Sequence, residues 1–128
     1  MPSEKKTSDL ISELTKLTSK GQIDWTSSDP PDVLTHGSND VYPLYFQTTY
    51  RDQKIAVAQR RYQSYDGDRD RFYWNEEINL FFLDYRDKIA WQTDSPYTAL
   101  NILFETVREQ AADVDGIFDR LLEENDEL

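Results

Sequence analysis

The sequence predicts an α+β fold: an N-terminal helix, a four-stranded antiparallel β-meander and two C-terminal helices, the helices packed on one sheet face. Three observations predict it. Apolar residues recur at helical spacing near both ends of the chain. Between them, from Tyr42 to Thr93, β-branched and aromatic runs alternate with period two and are separated by short polar turns. With 38% apolar residues, 13% aromatic, in 128 residues, the chain has material for one core and length for one domain, residues 1–128.

Leu10, Ile11, Leu14 and Leu17 form one narrow stripe, Thr7 or Ser8 can cap its start, and Gly21 stands where a C′ glycine ends a helix. The first helix is therefore expected over residues 8–20, with residues 1–7 frayed, and its polar reverse side suits a helix lying on a sheet. Ile23 and Trp25 alternate briefly. Thr26 to Asp40, with Pro30-Pro31 and several Ser and Asp residues, is expected to be irregular, pinned to the core by Val33 and Leu34.

Strands are expected at 42–50, 54–65, 71–83 and 88–93, joined by turns at 51–53, 64–70 and 84–87. Alternation assigns Leu44, Phe46 and Thr48 to one face of the first strand, and Ile55 and Val57 to one face of the second. The run Leu80-Phe81-Phe82-Leu83 is apolar on both faces. It fits either a central strand covered twice or a strand with one face reserved for a partner.

Ser95-Pro96 supplies an N-cap and an N1 proline, after which Ala99, Leu100, Leu103, Phe104, Val107 and Ala111 form a broad helical stripe. Asp113 or Asp115 can cap a last helix carrying Val114, Ile117, Phe118, Leu121 and Leu122 on one side. Residues 125–128 are expected to fray.

Charge narrows the function classes. Fourteen basic and twenty-five acidic residues leave a net charge of −11, which repels phosphate backbones and anionic lipid surfaces. Direct nucleic-acid binding and membrane binding are not expected. The absence of cysteine removes disulfides, thiol catalysis and thiolate metal sites, and a single histidine, His36, removes any site needing two imidazoles. The four glycines form neither a phosphate loop nor a dinucleotide fingerprint. Nothing near Met1-Pro2-Ser3-Glu4 reads as a leader, so the expected location is cytoplasmic, although Asn125-Asp126-Glu127-Leu128 resembles an endoplasmic-reticulum retention tail.

Three constellations are candidates for function. Asp66, Asp68, Asp70 and Glu77 occupy positions 1, 3, 5 and 12 of a calcium-loop register, so calcium is the one metal for which the sequence offers ligands. The register lacks its turn glycine, because position 6 is Arg71. Tyr62, Tyr65, Tyr73 and Trp74 are interleaved with Arg60 and Arg71, the combination of rings and guanidinium groups that binds a base or small anion on a strand face. Tyr45, Phe81 and Leu83 would be the contacts if the second sheet face docks a partner.

No catalytic constellation is present, and no cofactor is called for. The expected function is a non-enzymatic protein-binding accessory or adaptor module, able to form a homodimer through a sheet face. The alternatives are a small acidic inhibitor imitating nucleic-acid charge and a small-ligand binder using the aromatic and arginine strand region.

Overall fold

A computed structural model describes residues 2–126. Glu127 and Leu128, which end the retention-like tail, lie outside the described residues. The chain begins with α1, Glu4–Ser19. The Ser3 hydroxyl accepts the Lys6 backbone N–H at 3.1 Å, and the buried Thr7 hydroxyl donates to the Ser3 carbonyl at 3.0 Å. The helix thus starts four residues before the expected position, and residues 4–7, expected to fray, form its first turn. Ser3 caps it in place of Thr7 or Ser8, with Glu4 placed favourably near the positive helix end. At the other end Gly21, with φ of 72°, donates to Thr18 while Gln22 donates to Leu17, the paired bonds of a Schellman stop.

The sheet has five strands rather than four. β1 (Thr26–Ser27) pairs with Gln47 and Phe46 at the edge of the meander. A two-residue strand has no alternation to read, and its position is fixed by the residue before it. The Trp25 indole N–H donates to Thr18 Oγ1 at 2.9 Å, and the Trp25 backbone N–H donates to Gln110 Oε1 at 3.0 Å. Trp25 therefore ties the end of α1 to a helix 85 residues further along the chain. After Pro30-Pro31 comes a single-turn helix, α2 (Asp32–Thr35), which buries Leu34 and leaves Val33 exposed.

The remaining strands are β2 (Val41–Tyr50), β3 (Gln53–Asp66), β4 (Arg71–Leu83) and β5 (Ile89–Gln92), all antiparallel in the order β1-β2-β3-β4-β5. Arg51 and Asp52 join β2 to β3 with φ of 50° and 64°, the two positive values of a type I′ turn. α3 (Thr98–Ala111) starts at Tyr97, which makes no side-chain cap bond, so Ser95 is not the cap the sequence suggested.

Alternation along β3 and β4 feeds two cores. Ile55, Val57 and Leu80 face α1 and α3, where they meet Ile11, Leu14, Leu100, Leu103, Phe104 and Val107. Ala56, Ala58, Tyr45, Phe81 and Leu83 face the other way and pack with Leu34. The apolar run Leu80–Leu83 thus belongs to a strand covered twice.

α4 (Val114–Asp126) is the exception to helix-on-sheet packing. Asp113 caps it, its carboxylate accepting the Gly116 N–H at 3.3 Å, and a Cβ at Gly116 would run into that carboxylate. Of the two C-terminal helices α3 packs on the sheet, while Ile117, Phe118, Leu121 and Leu122 of α4 are exposed and Val114 is half-buried. No helix among the described residues is long and apolar enough to cross a membrane.

Tyr45 has a pH consequence. Burial, reinforced by the Asp87 carboxylate, pushes its hydroxyl from the ordinary 10.0 to about 12. The folded state favours the protonated form, so this contribution is intact below pH 10 and is lost as pH rises towards 12, by about 3 kcal/mol at the upper end. Denaturant unfolding at stepped pH should show wild type losing more stability than Tyr45→Phe across that window and not below it. Equal losses in the two proteins would refute the assignment.

Candidate functional site

The second sheet face is not a free docking surface. Tyr45, Phe81 and Leu83, expected to contact a partner, are 2%, 1% and 2% exposed beneath the 28–40 segment, with Leu34 among them. Sequence alternation placed them correctly on a common face; the cover comes from α2, whose single turn gives no periodic signal. A charge at Phe81 should therefore unfold the protein. Phe81→Asp, which combines a lost aromatic side chain with a buried carboxylate, should cost about 4 kcal/mol or more in denaturant melts. A stability change under about 1 kcal/mol would show the face to be open after all.

Beyond that core the β3–β4 pair continues as a two-stranded ribbon. β2 reaches only to Val41, opposite Arg61, while β3 and β4 stay paired to Asp66 and Arg71. The face continuous with the α1/α3 side carries Arg61, Trp74, Tyr65 and Phe72. Tyr65 and Phe72 lie opposite each other with ring centroids 5.3 Å apart. Phe72 is 66% and Trp74 48% exposed.

The reverse face of the ribbon holds Arg60, Tyr62, Tyr73 and Arg71. Arg60 Nε meets Asp40 at 2.8 Å, its Nη1 meets Glu77 at 2.6 Å, and its guanidinium lies over the Tyr62 ring at 4.4 Å. Burial works to lower the Arg60 pKa, but the hydrogen bonds it donates to Glu77 and Asp40, with the charges of both carboxylates, outweigh it and the pKa rises. Arg61 is likewise engaged, with Glu76 at 3.3 Å and with the Trp74 ring. The predicted ligand-binding set is therefore divided. Trp74 and Tyr65 lie on one face and Arg60, Tyr62, Tyr73 and Arg71 on the other, with the Arg60 guanidinium committed to internal carboxylates.

The calcium register is not assembled. Asp66, Asp68 and Asp70 sit at the ribbon tip, whereas Glu77 is six residues along β4 from Arg71, about 20 Å away at strand rise. Asp66 accepts the Asp68 N–H, Asp70 accepts the Tyr65 hydroxyl and so raises its pKa, and Glu77 is bound to Arg60. Among the described residues no group of three or more His, Cys, Asp or Glu side chains is placed to hold a metal ion. The spacing assumed a helix–loop–helix, and a β-hairpin carries the twelfth position away from the loop. Calorimetric titration with calcium should give no binding heat and no shift in melting temperature; saturable heat near one equivalent would contradict this geometry.

What sequence reasoning missed is α4. Its stripe was legible, but it was expected to pack on the sheet. Ile117, Phe118, Leu121 and Leu122 recur at i, i+1, i+4 and i+5 along one side, with Phe118 62% and Leu122 59% exposed. Asp115, Asp119 and Glu123 flank them. Nothing in its stripe separates this helix from α3, since the apolar residues of each span a similar arc of the helix. His36, at the C-terminal end of α2, is exposed and its N–H donates to the Asp32 carbonyl.

Compared with known proteins, the chain matches no family model, no curated protein and no solved structure.

Proposed function

We propose that this protein is a protein-binding accessory module that presents α4 to a groove on its partner. The observation that carries the reading is the row of exposed apolar side chains on α4, Ile117, Phe118, Leu121 and Leu122. An amphipathic helix docking through residues spaced three and four apart is a common recognition mode, and Val114, Ile117, Phe118, Leu121 and Leu122 have that spacing. The acidic flanks and the net charge of −11 favour a partner whose groove has an apolar floor and a Lys- or Arg-rich rim.

Charge mimicry of nucleic acid competes with this reading through the same helix, since Glu105, Glu109, Asp115, Asp119 and Glu123 populate the exposed sides of α3 and α4. Salt separates the two. Apolar docking persists at moderate salt, whereas a complex held by an imitated phosphate row weakens steeply.

Affinity capture from the native cells, run in parallel with wild type and Phe118→Asp, tests the proposal. The substitution should leave stability within about 0.5 kcal/mol, because the side chain is on the surface. It should nonetheless remove a partner that wild type retains at moderate salt, consistent with an anchor residue whose loss costs about 2 kcal/mol or more of binding. A partner retained equally by both proteins would overturn the assignment to α4.

A further inference from the structure

The two open edges of the sheet are treated differently by the sequence. On the β1/β2 side the edge is short, and the free part of β2 carries Pro43 and a register irregularity between Val41 and Leu44. These devices discourage strand pairing. On the other side β5 covers β4 only from Phe81 to Leu83, with Thr93 extending the contact to Leu80. From Arg71 to Ile78 the outer edge of β4 pairs with no strand among the described residues. That stretch has no Pro and no Lys, and its pairing with β3 runs from Lys54↔Leu83 to Asp66↔Arg71 without a shift.

Which backbone groups point outward follows from Leu80. Its N–H is accepted by Thr93 Oγ1 at 3.1 Å, and its carbonyl accepts the Thr93 N–H at 3.0 Å, both on the β5 side. By alternation Ile78, Glu76, Trp74 and Phe72 also direct their N–H and C=O groups outward. These groups form a row of donors and acceptors that an antiparallel strand can satisfy.

The edge also has charge polarity. Arg71 stands at one end and has no ion-pair partner within 4.0 Å among the described residues; Glu76 and Glu77 stand at the other. Two copies laid antiparallel bring unlike ends together. In the register that puts Trp74 opposite Trp74, Phe72 faces Glu76 as an outward-bonding pair, and Arg71 faces Glu77 at both ends of the twofold. The alternation of the outward groups and the charges both suit this one register. It also places the exposed Phe72 and Trp74 rings of both copies on one face, where cross-strand aromatic pairs add stability.

We infer that the β4 edge from Arg71 to Ile78 is a homodimerisation surface, at which a second copy of this chain adds its own β4 antiparallel about a twofold centred on Trp74 to build one continuous ten-stranded sheet. The inference is independent of the role proposed for α4.

Sedimentation velocity of the full chain over a wide concentration range tests it, at an ionic strength high enough to screen the repulsion between two acidic copies. Wild type should shift reversibly from the mass of one chain to that of two. Trp74→Pro removes an outward N–H without touching the bonds to β3 and should abolish the shift, while Arg71→Glu should weaken dimerisation about tenfold or more. Circular dichroism melts at a concentration where wild type is monomeric check that both variants stay folded. A wild type that stays monomeric throughout would overturn the inference, as would a dimer that survives Trp74→Pro but is lost in Phe118→Asp, which would assign the contact to α4. If Trp74→Pro unfolds, Arg71→Glu decides: dimerisation equal to wild type refutes the edge.

Discussion

The β3–β4 ladder is the constraint on which the rest of the structure depends. Because it is unbroken from Lys54↔Leu83 to Asp66↔Arg71, a single alternation of side chains runs its whole length. In the half near the turns at Arg51-Asp52 and Asp84–Asp87, that alternation divides Ile55, Val57 and Leu80 from Ala56, Ala58, Phe81 and Leu83, and so defines two cores on opposite faces. In the other half the same alternation continues past the end of β2, with no element among the described residues to cover it. The rings of Tyr65, Phe72 and Trp74 are exposed for that reason. The ribbon is held locally by cross-strand pairs such as Arg61–Glu76 and by Asn75 Nδ2 donating to Ser64 Oγ.

Helix placement follows from the same ladder. Its α1/α3 face is wide enough for two helices, and these are clamped at their C-terminal ends by Trp25, which bonds Thr18 on α1 and Gln110 on α3. Thr18 in turn donates to the Leu14 carbonyl at 2.7 Å, so the buried indole N–H and hydroxyl are both satisfied. Asp113, with φ of 52°, then breaks α3 and caps α4, and by that point the face is full. α4 is unpartnered because the apolar area of the sheet has already been used.

This explains how much was legible in the sequence. Strong periodicities were read to within a residue or two: β4 at 71–83, β2, β3 and the stripe of α3. What failed lacked a period. β1 is two residues long, α2 is one turn, and neither has enough residues to express alternation or a helical stripe. Yet α2 decided the fate of Tyr45, Phe81 and Leu83, because a buried face and a docking face look identical in sequence until the cover is found. The calcium register differs, because its misfit was legible: the sequence already places strands on both sides of the 64–70 turn, and a hairpin extends what a helix–loop–helix would fold back. The error with α4 was one of accounting for area, since a stripe shows that a helix has an apolar side and not that a surface remains to receive it.

The two exposed surfaces begin at different edges of the sheet. α4 departs beyond Gln110, which is bonded to Trp25 and Asp24 beside β1, whereas the open β4 edge lies three strands away. Pairing through β4 would therefore leave α4 uncovered in both copies. A dimer so built would carry two acidic-flanked helices, and a partner offering two basic-rimmed grooves would bind it with an avidity that neither helix has alone, provided the span between the grooves matches the span between the helices. The strong net charge fits this arrangement, because it would steer a basic partner to α4 over distances on the order of a Debye length while restraining edge pairing at low salt. Ionic strength would then slow the encounter at α4 without dissolving its apolar contact, and would strengthen the self-association at β4.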